Sequence, residues 1–315
     1  MFSPLDSYPV MECAACRTRQ TALQPEPEDL DLIYPPSYYG TNNRKFHRAI
    51  DSFLRFVCRG RCQHVARFFK APGAILDVGC GSGLFLEYFR RQGWNVTGLE
   101  LSENAAGKAR LHIGDDAVRV GDFDRIELPE SSFDAVVFWH VFEHLPRPRQ
   151  CLDKVNKILK PGGMLVIAVP DSDSAQARMG RNKWFHLDVP RHVFHYSEKT
   201  LLNLLGMHGF QVTDVSHHSL EYNPFGLLQT MFNWCFPENE VYNLLRNRSA
   251  KLDSQGTLPS PGECRFFLRN FRFSLELISF LSLFPAAFVA SFVLELCRQG
   301  GCITVCARNG PISPG

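Results

Sequence analysis

The chain carries no excess of charge of either sign: 34 Lys and Arg against 32 Asp and Glu leave a formal net charge of +2. No basic run interleaved with aromatics stands out, so the electrostatic footing of a nucleic-acid partner is missing. Met1–Cys16 has no apolar core after a basic start, and the 11 cysteines follow no regular spacing. Neither a secretory signal nor a disulfide framework is therefore expected, and the reading is a reduced, cytoplasmic protein. Cys13-x-x-Cys16 could be half of a zinc knuckle, but no second pair lies nearby. Cys58 and Cys62 fall i,i+4 on an expected amphipathic helix over 44–70. A closed zinc site needs four ligands, so structural thiols and no metal are expected. One glycine is also missing. The nicotinamide fingerprint is G-x-G-x-x-G, and here its last place is Leu84.

What is present is the run Ile75-Leu76-Asp77-Val78-Gly79-Cys80-Gly81-Ser82-Gly83-Leu84-Phe85-Leu86. A β-branched strand enters three alternate glycines and leaves as an apolar-periodic helix. Glycine at such a bend lets the backbone approach a ligand that a Cβ would block. The next strand, 95–100, ends on Glu100, whose carboxylate can accept hydrogen bonds from ribose hydroxyls. Together these make a nucleoside-binding βαβ unit. Downstream the periodicity predicts a helix over 102–112, strands over 117–121 and 133–139, a helix over 148–159 and a strand over 163–169. After an insertion, 171–196, come a helix over 197–208 and strands over 210–215 and 302–307. That alternation is an α/β, doubly wound, mostly parallel sheet.

The G-x-G-x-G spacing resembles the first motif of class I methyltransferases that use S-adenosyl-L-methionine (SAM). Gly121-Asp122, the segment Ser132–Leu145 and Leu159-Lys160-Pro161-Gly162-Gly163 match later motifs in order. The tract Leu187–Ser197 is similar to one in the bacterial subgroup resembling ubiquinone-biosynthesis O-methyltransferases. The resemblance implies SAM as cofactor and a seven-stranded Rossmann-like sheet whose last strand is inserted between the fifth and sixth. It implies a cofactor site of Asp77, Gly79, Gly81, Gly83, Glu100, Asp122 and Phe123. Glu100 would hold the ribose, Asp122 and Phe123 the adenine, and Asp77 would face the methionine ammonium. The plain alternative for the glycines is a tight turn with no ligand. Domain boundaries follow: an arm and leading helix at 1–70, a core at 71–216, a helical insertion at 217–300, and the last strand and tail at 301–315.

Methyl transfer needs an acceptor aligned in line with the sulfonium, and a hydroxyl acceptor must lose its proton. Four histidines would share the rim: His140, His186, His192 and His195. An imidazole titrates near working pH, and His140 and His192 are the leading catalytic candidates. If their turn is helical, His140, Glu143 and His144 share a face and could ligate a metal. His140 stands where metal-binding relatives carry an acid, so a brace is the expectation for Glu143-His144. Tyr38, Tyr39 and Arg44 could fold over the cofactor or simply pack.

The 217–300 insertion is apolar. Phe225–Phe236 is rich in aromatics, 248–263 has the character of a mobile loop, and Leu277–Leu294 is uncharged for 18 residues. That run reaches the length of a transmembrane helix. A single span would put two strands of one sheet on opposite sides of a bilayer, and Pro285 is expected to split the run. The preferred reading is a buried helical pair roofing the site. The other is a peripheral membrane contact through 225–236 and 273–296. The functional expectation is methyl transfer to a small, apolar acceptor, oxygen preferred. The alternatives are a catalytically silent SAM-fold scaffold and an enzyme acting on a membrane-lipid-like acceptor.

Overall fold

The computed structural model describes residues 8–22, 48–236, 239, 241–242 and 264–310, with backbone alone for 48–54 and 264–275. Tyr38, Tyr39, Arg44 and the 248–263 stretch lie outside the described residues. In chain order the first elements are β1 (Val10–Glu12), β2 (Arg19–Thr21), α1 (Arg48–Ala66), β3 (Ala74–Val78), α2 (Leu84–Arg91) and β4 (Asn95–Glu100). Then come α3 (Glu103–Ile113), β5 (Val118–Val120), β6 (Phe133–Trp139), α4 (Pro148–Ile158), β7 (Leu159–Pro170) and α5 (Ala175–Gly180). The last are β8 (Phe194–His195), α6 (Glu198–Met207), β9 (Phe210–Ser216), α7 (Tyr222–Cys235), α8 (Cys264–Leu296) and β10 (Cys302–Asn309).

Seven strands form one sheet in the order β5-β4-β3-β6-β7-β10-β9. Strands β3 to β7 pair in parallel, and β10 runs antiparallel between β7 and β9. The expected placement of the last strand therefore holds, and 217–300 is spliced between two neighbouring strands. Side chains alternate across each strand. Leu76, Val78, Val136 and Phe138 fill one core with Leu152 and Ile167, while Ile75, Ala135 and Val137 fill the other with Phe89 and Val166. Strands buried on both faces read as continuous apolar runs, as 135–138 does and as 75–78 does apart from Asp77. Helix starts are capped locally: the Ser102 and Ser174 hydroxyls accept from Ala105 and Ala177 N–H, and Ser197 closes a capping box with Thr200.

A second sheet, β1-β2-β8, was not foreseen. Residues 10–21 form a hairpin, and Arg19 and Gln20 pair with His195 and Phe194 of the 171–196 insertion. This part of the N-terminal arm is thus a paired hairpin. Cys13 and Cys16 sit in the hairpin's turn as exposed, free thiols.

The insertion before β10 also departs from expectation. α8 is one continuous 33-residue helix with Pro285 inside it, not two halves. One proline removes one backbone hydrogen bond, and the long arms on either side keep the axis going. The preferred roof of buried helices is not what forms. Only 17% of the apolar window in Glu276–Leu296 is buried. Its packing centres on Phe280 and Ala287, which cluster with Leu228 and Phe232 of α7 and with Val241.

Candidate active site

The carboxyl ends of β3, β4 and β6 lie side by side at one edge of the sheet. There the bend after β3 holds three glycines at positive φ, +74° at Gly79, +55° at Gly81 and +77° at Gly83. They are glycine for different reasons. A Cβ on Gly79 would run into Val141 Cγ2, and one on Gly83 would lie 3.1 Å from Ala109 Cα. A Cβ on Gly81 would meet nothing within 4 Å. Gly79 and Gly83 therefore serve packing, and Gly81 alone looks onto open space.

Glu100 lies beside that bend. Its Oε2 accepts from Gly81 N–H at 3.0 Å, and its Oε1 accepts from Leu101 and Ser102 N–H at 2.9 and 3.2 Å. Burial raises its pKa, against the pull of those three donors. A carboxylate has about four acceptor sites, so roughly one remains, on Oε2 beside Gly81. Asp77, 4% exposed, sits behind. Burial holds its carboxyl well above the carboxylate range, Glu100 adds to that, and Arg61 opposes it. Asp122 is half-exposed and accepts from Asp124 N–H at 2.9 Å. The Phe123 ring goes elsewhere. It is 3% exposed, edge-on to Phe138 at 5.4 Å in the core, so the expected ring contact with a ligand is not available from this position.

On the β6 side, His140 takes φ +53°, a strained left-handed conformation for a non-glycine residue. The short 3₁₀ turn 142–144, rather than an α-helix, then presents Glu143. Its carboxyl is 1% exposed, with both oxygens lacking a hydrogen-bond partner. His140 Nδ1 lies 3.4 Å and His192 Nε2 3.9 Å from Glu143 Oε1. Burial pushes Glu143 up to about 7. Burial drives the imidazoles the other way: His140 and His186 to about 3, His195 to about 4, and His192 well below its ordinary value.

The tautomers follow from the acceptors. His192 Nδ1 donates to His186 O at 2.9 Å and His144 Nδ1 to Arg191 O at 2.9 Å, since a carbonyl only accepts. Thr21 Oγ1 donates to His192 O at 2.7 Å, which leaves it to accept from His195 Nε2 at 3.1 Å. His195 is thereby a brace between the hairpin and the insertion. His186 also packs inward, where a Cβ on Gly226 would strike its Nε2. The shared face of His140, Glu143 and His144, for which a brace was the expectation, is regrouped. Glu143, His144 and His192 offer atoms within 4.8 Å of one another, a two-histidine, one-carboxylate set that could hold a divalent ion.

Two residues missed by sequence reasoning shape the mouth. Tyr222, which opens α7, places its ring 3.9 Å from the His140 ring. Arg61 of α1 lies 4.8 Å from the Trp139 ring and 5.5 Å from Tyr222, and pairs with Glu221. No local pattern marks either one, because each acts across elements far apart in the chain.

A family model described as a methyltransferase domain matches residues 50–215. Similar curated proteins include ubiquinone biosynthesis O-methyltransferases. That of Dechloromonas aromatica is 37% identical over 100 residues, 30% of this chain and 43% of the relative. That of Xanthomonas axonopodis pv. citri is 32% identical over 180 residues, 52% of this chain and 73% of the relative. The chain spans about half the length of the first curated relatives it matches, 43% to 48%. A chain from the complex between the Haloferax volcanii Trm112 methyltransferase activator and a methyltransferase is similar in fold. Its TM-score is 0.50 at 18% identity, over 84% of this chain and 95% of that one. Since the matched region carries the strands that hold Asp77, Glu100 and Trp139, the chain belongs to the methyltransferase domain family, in its class I form that uses SAM.

Proposed function

We propose that this chain moves the methyl group of SAM onto a small, apolar acceptor, with a hydroxyl oxygen as the preferred nucleophile. The observation that carries the reading is the open space in front of Gly81, walled by the buried Glu100 carboxylate with an acceptor site to spare. Glu100 would hold a ribose hydroxyl. Asp77 would regain its charge beside the methionine ammonium, since a cation next to a buried carboxyl lowers its pKa. Asp122, half-exposed, would accept from the adenine amino group, and the Phe123 backbone rather than its ring would line that end. Bound SAM supplies a sulfonium-activated methyl carbon.

The rest falls to the protein. Tyr222, Trp139 and Arg61 keep water from the mouth, which in-line displacement requires. Glu143 and the imidazoles of His140 and His192 take the hydroxyl proton. Their crowding beneath the rim is what favours oxygen over an amine, which needs no such base.

Replacing Glu100 with Ala is expected to weaken SAM binding by about 2 kcal/mol, roughly thirtyfold, for the loss of hydrogen bonds to a charged group. Calorimetry measures it, with circular dichroism as the check that the domain stays folded. Unchanged affinity would remove Glu100 from the site. Release of S-adenosylhomocysteine with phenolic acceptors then separates an enzyme from a silent scaffold, which binds SAM and turns nothing over.

A further inference from the structure

Helix α8 is built inside out. At 100° per residue, Glu276, Phe280, Ala287, Ser291 and Glu295 fall on one stripe, and this stripe faces the protein. Glu276 is 2% and Ser291 2% exposed, and the Glu295 side chain 5%. Glu295 accepts from Asn223 Nδ2 at 2.7 Å, Ser219 N–H at 3.2 Å and His218 Nδ1 at 2.5 Å. Its acids thus point in. Facing out, over an arc of about 140°, are Ile278, Leu281, Phe288, Val289, Phe292, Val293 and Leu296. Their exposures run from 38% to 71%, and Met231 and Trp234 of neighbouring α7 are 48% and 56% exposed. A helix in water shows the reverse pattern, and exposed apolar patches of this extent mark an interaction site.

We propose that this face of α8, with Met231 and Trp234, seats in the surface of an anionic lipid bilayer and holds the catalytic mouth against it. Three observations favour lipid over a second copy of the chain. The outward face of 277–294 carries no charge at all, where a protein interface would normally include a polar rim. The sequence entering it, Cys264–Leu275, holds Arg265, Arg269 and Arg272 and no acid, which suits anionic headgroups. Trp234 beside the apolar arc suits the boundary between headgroups and acyl chains. The helix lies in the interface instead of crossing it, because β9 and β10, which flank the insertion, are neighbours in one sheet.

The seating also reaches the active site. Glu295 near the end of α8 binds Asn223, and the adjoining Tyr222 packs on His140. An apolar acceptor could then enter beside Tyr222 without crossing water. That consequence rests on the methyl-transfer reading, whereas the seating itself is measured without any acceptor.

The full chain should float with vesicles of phosphatidylcholine containing phosphatidylglycerol, and less with phosphatidylcholine alone. The pair Val289→Glu and Phe292→Glu should float at least about tenfold less, since each places a charge where an apolar side chain would leave water. Both positions are remote from the SAM crevice, so SAM affinity by calorimetry should be unchanged and reports separately on folding and on the methyltransferase reading. Should the pair fail to fold, blue-shifted emission of Trp234 on adding vesicles, absent in Trp234→Phe, tests the wild-type face directly. A wild-type chain that stays at the bottom of the gradient overturns the proposal. So does a variant that floats equally well, or a dimer that the two glutamates dissolve while vesicles bind neither form.

Discussion

Glu143→Gln is expected to cut turnover by about two to three orders of magnitude, the range removed with a general base, and to flatten the pH profile. The side chain keeps its volume, so the change isolates charge. Glu143 is buried, lacks hydrogen-bond partners on both oxygens, and is held by burial at about 7. His140 and His192 are both pushed far below neutral and stay uncharged across the working range. The group that changes state near neutrality is therefore the carboxyl. Below pH 7 it is protonated and cannot draw the proton from His140 Nδ1, 3.4 Å away. Above pH 7 it is ionised, steadies a positive imidazole, and lets the ring accept the acceptor's proton. The kcat should rise through pH 7 and level off by about pH 8, and in the Gln variant the rise should vanish with the KM for SAM unchanged. His140→Gln and His192→Gln then identify the imidazole. If both keep full turnover, neither ring is the base. If Glu143→Gln keeps the wild-type rise, this carboxyl is not the switch.

The second large effect is on stability. Gly79→Ala should destabilise the fold by about 4 kcal/mol, the sum of two causes that can be separated. A left-handed conformation costs an L-residue about 1–2 kcal/mol, and overpacking a core about 1–3 kcal/mol. Gly79 has φ +74°, and its missing Cβ would overlap Val141 Cγ2. In a Val141→Ala background only the first cause survives, so the cost of Gly79→Ala should fall by about half. Gly81→Ala, at φ +55° with nothing nearby, should cost only the first. Urea midpoints for the four combinations measure the coupling directly. An equal cost of Gly79→Ala in both backgrounds would remove Val141 as the reason for the glycine.

Much of this arrangement was legible in the residues. The strand 135–138 is apolar throughout because both faces are covered, 75–78 departs from that only at Asp77, and the bend between β3 and α2 announces itself through its glycines. Glu100 could be placed because a strand's tip follows from where its pattern ends. The hidden parts are contacts between remote segments. β1, β2 and β8 are only two or three residues long, too short for periodicity, and Gln20 meets its partner Phe194 across most of the chain. His192 joins Glu143 from 49 residues away, and Arg61 of α1 reaches Trp139 at the end of β6. Phe123 was misplaced for a simpler reason. Its neighbour Asp122 turns to the rim, and the ring, facing the other way, enters the core. The Pro285 rule failed because one lost hydrogen bond weighs little in a helix of 33 residues.

The position of β10 has a consequence for how the chain is made. It lies between β7 and β9, bonded to both, yet it follows both of them in the chain, with all of α8 in between. Until residue 302 emerges, β7 and β9 are two open edges with a gap the width of one strand between them, and α8 is already outside with its apolar arc uncovered. Nascent chains stopped short of β10 should therefore aggregate or recruit chaperones, and completion of the sheet must wait until β10 has been made.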